Sequence, residues 1–218
     1  MTTNKLFNQS IQEMRTLITN AVEQEEIRAK ILPHGYTDEK MLELQNLLAE
    51  TEQSAFTQQE EYMQKKHASN NYMLSYVVVE KNYAQLRKIC KFKLIAGSAD
   101  WLDLELSVSI PQAAAAEIAF YQKFYTRLLT KATLITDMAP FGITIESITA
   151  EQTQVADLKV LFDIREKETG EAQRATKLRD DKYLLLRNEC SALRQLLKIV
   201  FEGSEAQLLE SLGILVRS

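Results

Sequence analysis

The side chains that most often carry chemistry are few in this 218-residue chain, and their spacings suit little of it. There are two histidines, His34 and His67. A di-iron or zinc site in a helical protein uses Glu-x-x-His or His-Glu-x-x-His, which puts carboxylate and imidazole on one helix face. Neither histidine has a carboxylate at that spacing. The two cysteines, Cys90 and Cys190, stand among leucines on apolar helical faces, where a thiol is normally inert. The adjacent carboxylates Glu60-Glu61 and Asp180-Asp181 point to different helix faces and read as solvated charge. No Gly-x-x-x-x-Gly-Lys or Gly-x-Gly-x-x-Gly loop is present to cradle a phosphate. The sequence therefore assigns no catalytic residue, no cofactor and no metal ligand, and the expectation is a protein that is not an enzyme.

One charge feature is basic. Lys81, Arg87, Lys88, Lys91 and Lys93 crowd one helical stretch, and Arg174, Lys177, Arg179, Lys182, Arg187, Arg194 and Lys198 crowd another. Cations are favoured toward helix C-termini. A net charge of −4 argues against nucleic acid as the partner. No run approaches the roughly 20 apolar residues of a membrane span. Residues 1–12 lack the continuous apolar core of a secretion signal. With two unpaired core thiols, the expected location is cytoplasmic, with no membrane partner.

The elements that would position any site are organised around a repeated joint. Pro33-His34-Gly35-Tyr36-Thr37 occurs again, 107 positions on, as Pro140-Phe141-Gly142-Ile143-Thr144. Proline disfavours helix in the residue before it. Gly35 and Gly142 allow the positive φ of a tight connection. Thr37 and Thr144 are good N-caps. Asp38, Glu39 and Glu146 place negative charge at the positive end of the following helix. The pairs Tyr36 with Met41 and Ile143 with Ile148 have the spacing of a hydrophobic staple. A second echo joins Gly97-Ser98 to Gly203-Ser204, and Leu86-Arg87 answers to Leu193-Arg194. These signals keep their order, so the chain reads as an internal duplication, residues 1–108 and 109–218.

In chain order, helices are expected over 4–31, 38–66 and 72–96, with a break at His67–Asn71. The first carries Leu6, Ile11, Met14, Leu17, Ile18, Ala21 and Ile31, and the second turns Met41, Leu44, Leu48, Ala55, Tyr62 and Met63 inward. With the polar run Thr57–Glu61, the far end of the second helix is expected to project beyond the core or to pack there on a neighbour. Leu102, Leu104, Leu106, Val108 and Ile110 alternate like a strand, but a strand here has no partner, so a short helix over 99–106 is expected. The second half repeats the plan: a helix from Pro111, a helix from Ile145 to about Glu168, a weak junction at Gly170, and a long helix to Phe201. Ser204 and Gln207 would form a capping box on a last short helix. Tyr76, Tyr83, Tyr121, Phe124 and Tyr125 read as core.

The step Gly142-Ile143-Thr144, with the helix that follows through Leu161, resembles one in uncharacterised all-helical bundle proteins of Bacteroidota. That resemblance implies a helical bundle with no assigned activity. The fold class expected is all-α: an elongated bundle of two similar units, each of three long helices and one short one. The function expected is a non-catalytic scaffold or protein-protein interaction module, through a protein partner or self-association. The interaction surface would be Tyr62, Met63, Tyr72, Met73 and Tyr76, anchor types that interfaces favour. The alternatives are a ligand-binding or enzymatic bundle with a cleft between the halves, and nucleic-acid binding through the basic helices.

Overall fold

Few glycines and prolines, with many good helix formers, leave little to interrupt helix, and the computed structural model is helical throughout. It describes residues 2–201 and 208–214, and no strand occurs among them. The elements are α1 (Thr2–Glu23), α2 (Glu25–Ile31), a 3-10 turn (Leu32–His34), α3 (Asp38–Lys93), α4 (Ala99–Asp103), α5 (Ala114–Leu128), α6 (Ala132–Met138), a second 3-10 turn (Ala139–Phe141), α7 (Ile145–Val200) and α8 (Leu208–Ser211). Gly203, Ser204 and Gln207, and with them the expected capping box, lie outside the described residues.

The joints form as their residues dictate. Gly35 and Gly142 have φ of 89° and 76°. The Thr37 hydroxyl accepts from the Lys40 amide at 3.3 Å, and that of Thr144 from the Ser147 amide at 3.2 Å. Ser147 Oγ accepts in return from the Thr144 amide at 2.9 Å, so a serine completes the reciprocal cap that the sequence lacked a Glu for. Tyr36 and Met41 pack in one core, Ile143 and Ile148 in another.

Several expected breaks are absent and two unexpected ones appear. Helix α3 runs through His67–Asn71 and α7 through Gly170. Each unfavourable residue costs at most about 1 kcal/mol, whereas a buried large apolar side chain returns about 1.5–3 kcal/mol. Val79 and Leu86, with Leu186 and Leu193, keep the inner stripe continuous and buried. The run Thr57–Glu61 is therefore the middle of a helix and not its end. The first expected helix instead divides at Gln24, which is extended (φ −88°, ψ 107°). The run Glu23-Gln24-Glu25-Glu26 explains it, because acids oppose a helix C-terminus and favour an N-terminus. The helix expected from Pro111 starts at Ala114 and stops at Leu128.

Residues 102–110 are neither strand nor continuous helix. Leu104 and Leu106 are buried while Leu102, Val108 and Ile110 are exposed. The reversal comes at Glu105, whose φ of 52° is left-handed. Neighbouring side chains hold it there. Arg127 Nη1 donates to Glu105 Oε1 at 3.0 Å, Lys123 pairs with the same carboxylate, and Arg87 Nη2 donates to the carbonyl of Leu106 at 3.0 Å.

The chain gathers into two compact units, Met1–Tyr62 with Ala172–Ser218, and Met63–Glu171. The sequence echo divides the chain near residue 108, but the compact units divide each long helix in its middle. The first core joins Leu17, Ile18, Ile31 and Leu44 to Leu193, Leu197 and Leu209. The second joins Tyr83, Leu86 and Leu106 to Tyr121, Leu128 and Leu158. In each unit, segments of α3 and α7 run antiparallel. Lys182 pairs with Glu50 at 2.6 Å and Lys40 with Glu189 at 3.2 Å in the first, and Asn82 bonds Gln154 at 3.0 Å in the second.

Two outcomes are expected. Thr37→Ala and Thr144→Ala each lower stability by about 1 kcal/mol in urea titrations, the usual cost of a lost N-cap. A protease site placed in the non-helical link 109–113, then cut, leaves two fragments that co-elute with undiminished helicity, because each core holds residues from both sides of the cut. Separation of the fragments without denaturant would contradict this account of the cores.

Candidate interaction surface

Two faces of α3 follow from its spacing. Tyr72, Val79, Tyr83, Leu86 and Cys90 line one face and are buried. Their neighbours Met73, Leu74, Val77 and Val78 fall on the outer side, at i, i+3 and i+4 from one another, and so lie side by side. They are 57%, 71%, 55% and 49% exposed. The Val77-Val78-Val79 run is thus divided, with one valine in the core and two in solvent. Exposed Glu80 and Lys81 flank the patch. On α7, Leu184 and Leu185 stand 107 positions on from Val77 and Val78 and are also exposed.

The five residues expected to form a surface do not share one. Met63 and Met73 are exposed on α3 in the second unit, and Tyr62 is exposed in the first. This corrects the inward direction read for Tyr62 and Met63, and Leu6 likewise is exposed. Tyr72 is buried, packed against Phe162 with ring centroids 6.0 Å apart, and the Arg165 guanidinium lies 4.2 Å from its ring centre. Tyr76 is half-buried, and its hydroxyl donates to Glu117 Oε1 at 3.0 Å. Both tyrosines belong to the core because they precede Val79 and Tyr83 by seven residues, two turns of helix. Leu74, Val77 and Val78 were missed. Their signal was an apolar run wider than one helix face can bury.

The second unit also holds a tyrosine cluster. Tyr121 donates to the same Glu117 oxygen as Tyr76, and Tyr125 donates to Glu151 Oε2 at 2.9 Å. Burial pushes the Tyr76 and Tyr83 hydroxyls up to about 12 and raises those of Tyr121 and Tyr125. Burial also raises the Glu151 carboxyl, against the pull of the Tyr125 hydroxyl. The thiols of Cys90 and Cys190 are pushed up by burial, to about 12 and about 11, and stand in separate cores. At neutral pH they are protonated and poor nucleophiles. His34 and His67 are exposed.

In the first unit a groove of about 470 Å³ is lined by Phe7, Phe56, Gln58, Gln59, Tyr62 and Arg179. Arg179 is already engaged there. It pairs with Asp180 at 2.7 Å, donates to Gln58 at 3.1 Å, and its guanidinium sits 5.5 Å from the Phe7 ring centre. Two others of the basic residues read from the sequence are engaged as well. Lys182 pairs with Glu50, and Arg87 binds the carbonyls of the turn after α4.

No family model, no curated protein and no solved structure matches the chain.

The Tyr83 hydroxyl is buried and has no hydrogen-bond partner among the described residues. Its ring lies 4.2 Å from that of Tyr121 and 5.0 Å from that of Phe124, contacts that phenylalanine would keep. An unpaired buried hydroxyl costs about 1–3 kcal/mol. Tyr83→Phe is expected to raise stability by about 1 kcal/mol in urea unfolding, and a loss of stability would mean that the hydroxyl is bonded.

Proposed function

We propose that this protein is a non-catalytic helical scaffold that binds another protein through the outer face of α3 in the second unit. The observation that carries the reading is the side-by-side exposure of Met73, Leu74, Val77 and Val78. Monomeric proteins rarely leave adjacent large apolar side chains open unless a partner covers them. A row at i, i+3 and i+4 suits a partner that lays an apolar helix or edge along it. Met63, earlier in α3 and also exposed, and the flanking Glu80 and Lys81 would form part of the rim. The buried thiols, the exposed histidines and the engaged Arg179 favour this reading over an enzymatic one.

The proposal includes the internal duplication, for which the contacts give support beyond the echo. Elements α2 and α6, the two 3-10 turns, and α3 and α7 each begin 107 positions apart, and α3 and α7 have 56 residues each. Tyr76 donates to Glu117 and Tyr183 donates to Ser10, and each partner of one bond stands 107 positions from its counterpart in the other. Arg127 and Lys131 hold α4 through Asp103, while Asn20 and Gln24, at the equivalent positions, hold α8 through Ser211. Each core thus takes its first helix from one copy and the distal half of a long helix from the other.

Affinity capture with the full chain tests the function. A protein retained by the wild type is expected to be lost, by at least about tenfold, with Leu74→Asp plus Val77→Asp. Both sites are exposed, so the melting temperature stays close to that of the wild type. Equal capture by wild type and variant would overturn the reading.

A further inference from the structure

A second apolar patch lies at the C-terminal end of α3, away from the residues used above. Phe92 is 75% exposed and Ile95, just past the helix end, is 82% exposed. Phe141, from the second joint, is 48% exposed, and its ring stands 6.1 Å from that of Phe92. Lysines alternate with these side chains in the run Lys88-Ile89-Cys90-Lys91-Phe92-Lys93. All three lysines are exposed. Lys93 Nζ lies 4.8 Å from the Phe141 ring centre and Lys91 Nζ 6.0 Å from that of Trp101. Among the described residues none of the three forms an ion pair.

The framework does not require this patch. At the equivalent place in the first unit, Ile199 stands for Phe92, His34 for Phe141, Gln195 for Lys88 and Val200 for Lys93. The aromatic pair and two of the three lysines are missing there, although the helix is the same length. A protein partner would have to supply a pocket for each ring, since interface anchors bind by filling pockets. At these exposures Phe92 and Ile95 stand out from the surface. Such groups sink into the boundary between headgroups and acyl chains, while lysine stems lie along the apolar layer and hold their ammonium groups at the phosphates. The three unpaired positive charges complement an anionic surface although the chain as a whole is acidic.

We infer that the Phe92, Ile95 and Phe141 tip of the second unit, with Lys88, Lys91 and Lys93, docks on an anionic lipid surface. Such docking is peripheral. No helix among the described residues is long and apolar enough to cross a membrane.

Co-sedimentation of the full chain with vesicles tests this. The chain should pellet with phosphatidylcholine vesicles containing about one third phosphatidylserine, and much less with phosphatidylcholine alone. Lys88→Gln, Lys91→Gln and Lys93→Gln together should weaken binding about a hundredfold, taking the usual gain per lysine at such a surface. Phe92→Ser with Ile95→Ser should abolish the binding that survives high salt. Circular dichroism melts check that the variants fold, and Ile95→Ser alone serves if the double variant does not. The inference is overturned by an absence of pelleting at low salt, by equal binding to neutral vesicles, or by variants that bind like the wild type. Retention on soluble polyglutamate without vesicle binding would overturn it too, in favour of an acidic protein partner.

Discussion

Each long helix must bury one stripe in two different cores, and the remaining structure depends on that constraint. The first half of α3 packs with α1 and the end of α7, and its second half packs with α5 and the start of α7. A helix that serves two cores cannot afford an interruption between them, since a break would free the register of one stripe from the other. Local propensity therefore yields at His67–Asn71 and at Gly170, where the sequence offers every reason to stop. Penalties of at most about 1 kcal/mol per residue are small beside the buried apolar stripes on either side.

The joints are the counterpart of this continuity. A positive φ at Gly35 and Gly142, a threonine cap and an apolar pair set how each long helix starts. At the turn after α4 no glycine is supplied, and Glu105 takes the left-handed conformation instead. Lys123, Arg127 and Arg87 make that possible by binding its carboxylate and the carbonyls around it. Lys131 holds Asp100 and Asp103 beside them, at 3.0 and 2.8 Å. These pairs are partly exposed and add little stability singly. Their consequence is positional, because together they dock Leu104 and Leu106 into the second core.

The two cores differ in chemistry. The first is closed by aliphatic side chains such as Met14, Leu17 and Ile18, where the second has Tyr121, Phe124 and Tyr125. The tyrosines bring two carboxylates, Glu117 and Glu151, partly out of water as hydrogen-bond acceptors. The second unit also carries both apolar faces for which a partner is proposed, on α3 around Val77 and at its end around Phe92.

Composition and helical period by themselves determined the helical class, the two joints and their caps, the burial of both thiols and the placing of Tyr83, Tyr121 and Tyr125 in a core. Those features depend on residues close in sequence, through φ preference, capping and the 3.6-residue repeat. The candidate surface was only half legible. Tyr62, Met63 and Met73 are exposed, but Tyr72 and Tyr76 belong to the core, and Leu74, Val77 and Val78 were missed. A period tells which residues share a face and not which of two apolar faces meets a neighbour. Tertiary structure decided the continuity of α3 and α7, the left-handed Glu105 and the sharing of each long helix between the two cores. The deciding partners lie outside the local pattern: Lys123 and Arg127 for Glu105, Glu117 for Tyr76, and the two cores for the long helices. Local pattern carries no information about a contact whose other half is a hundred residues away or is chosen by packing.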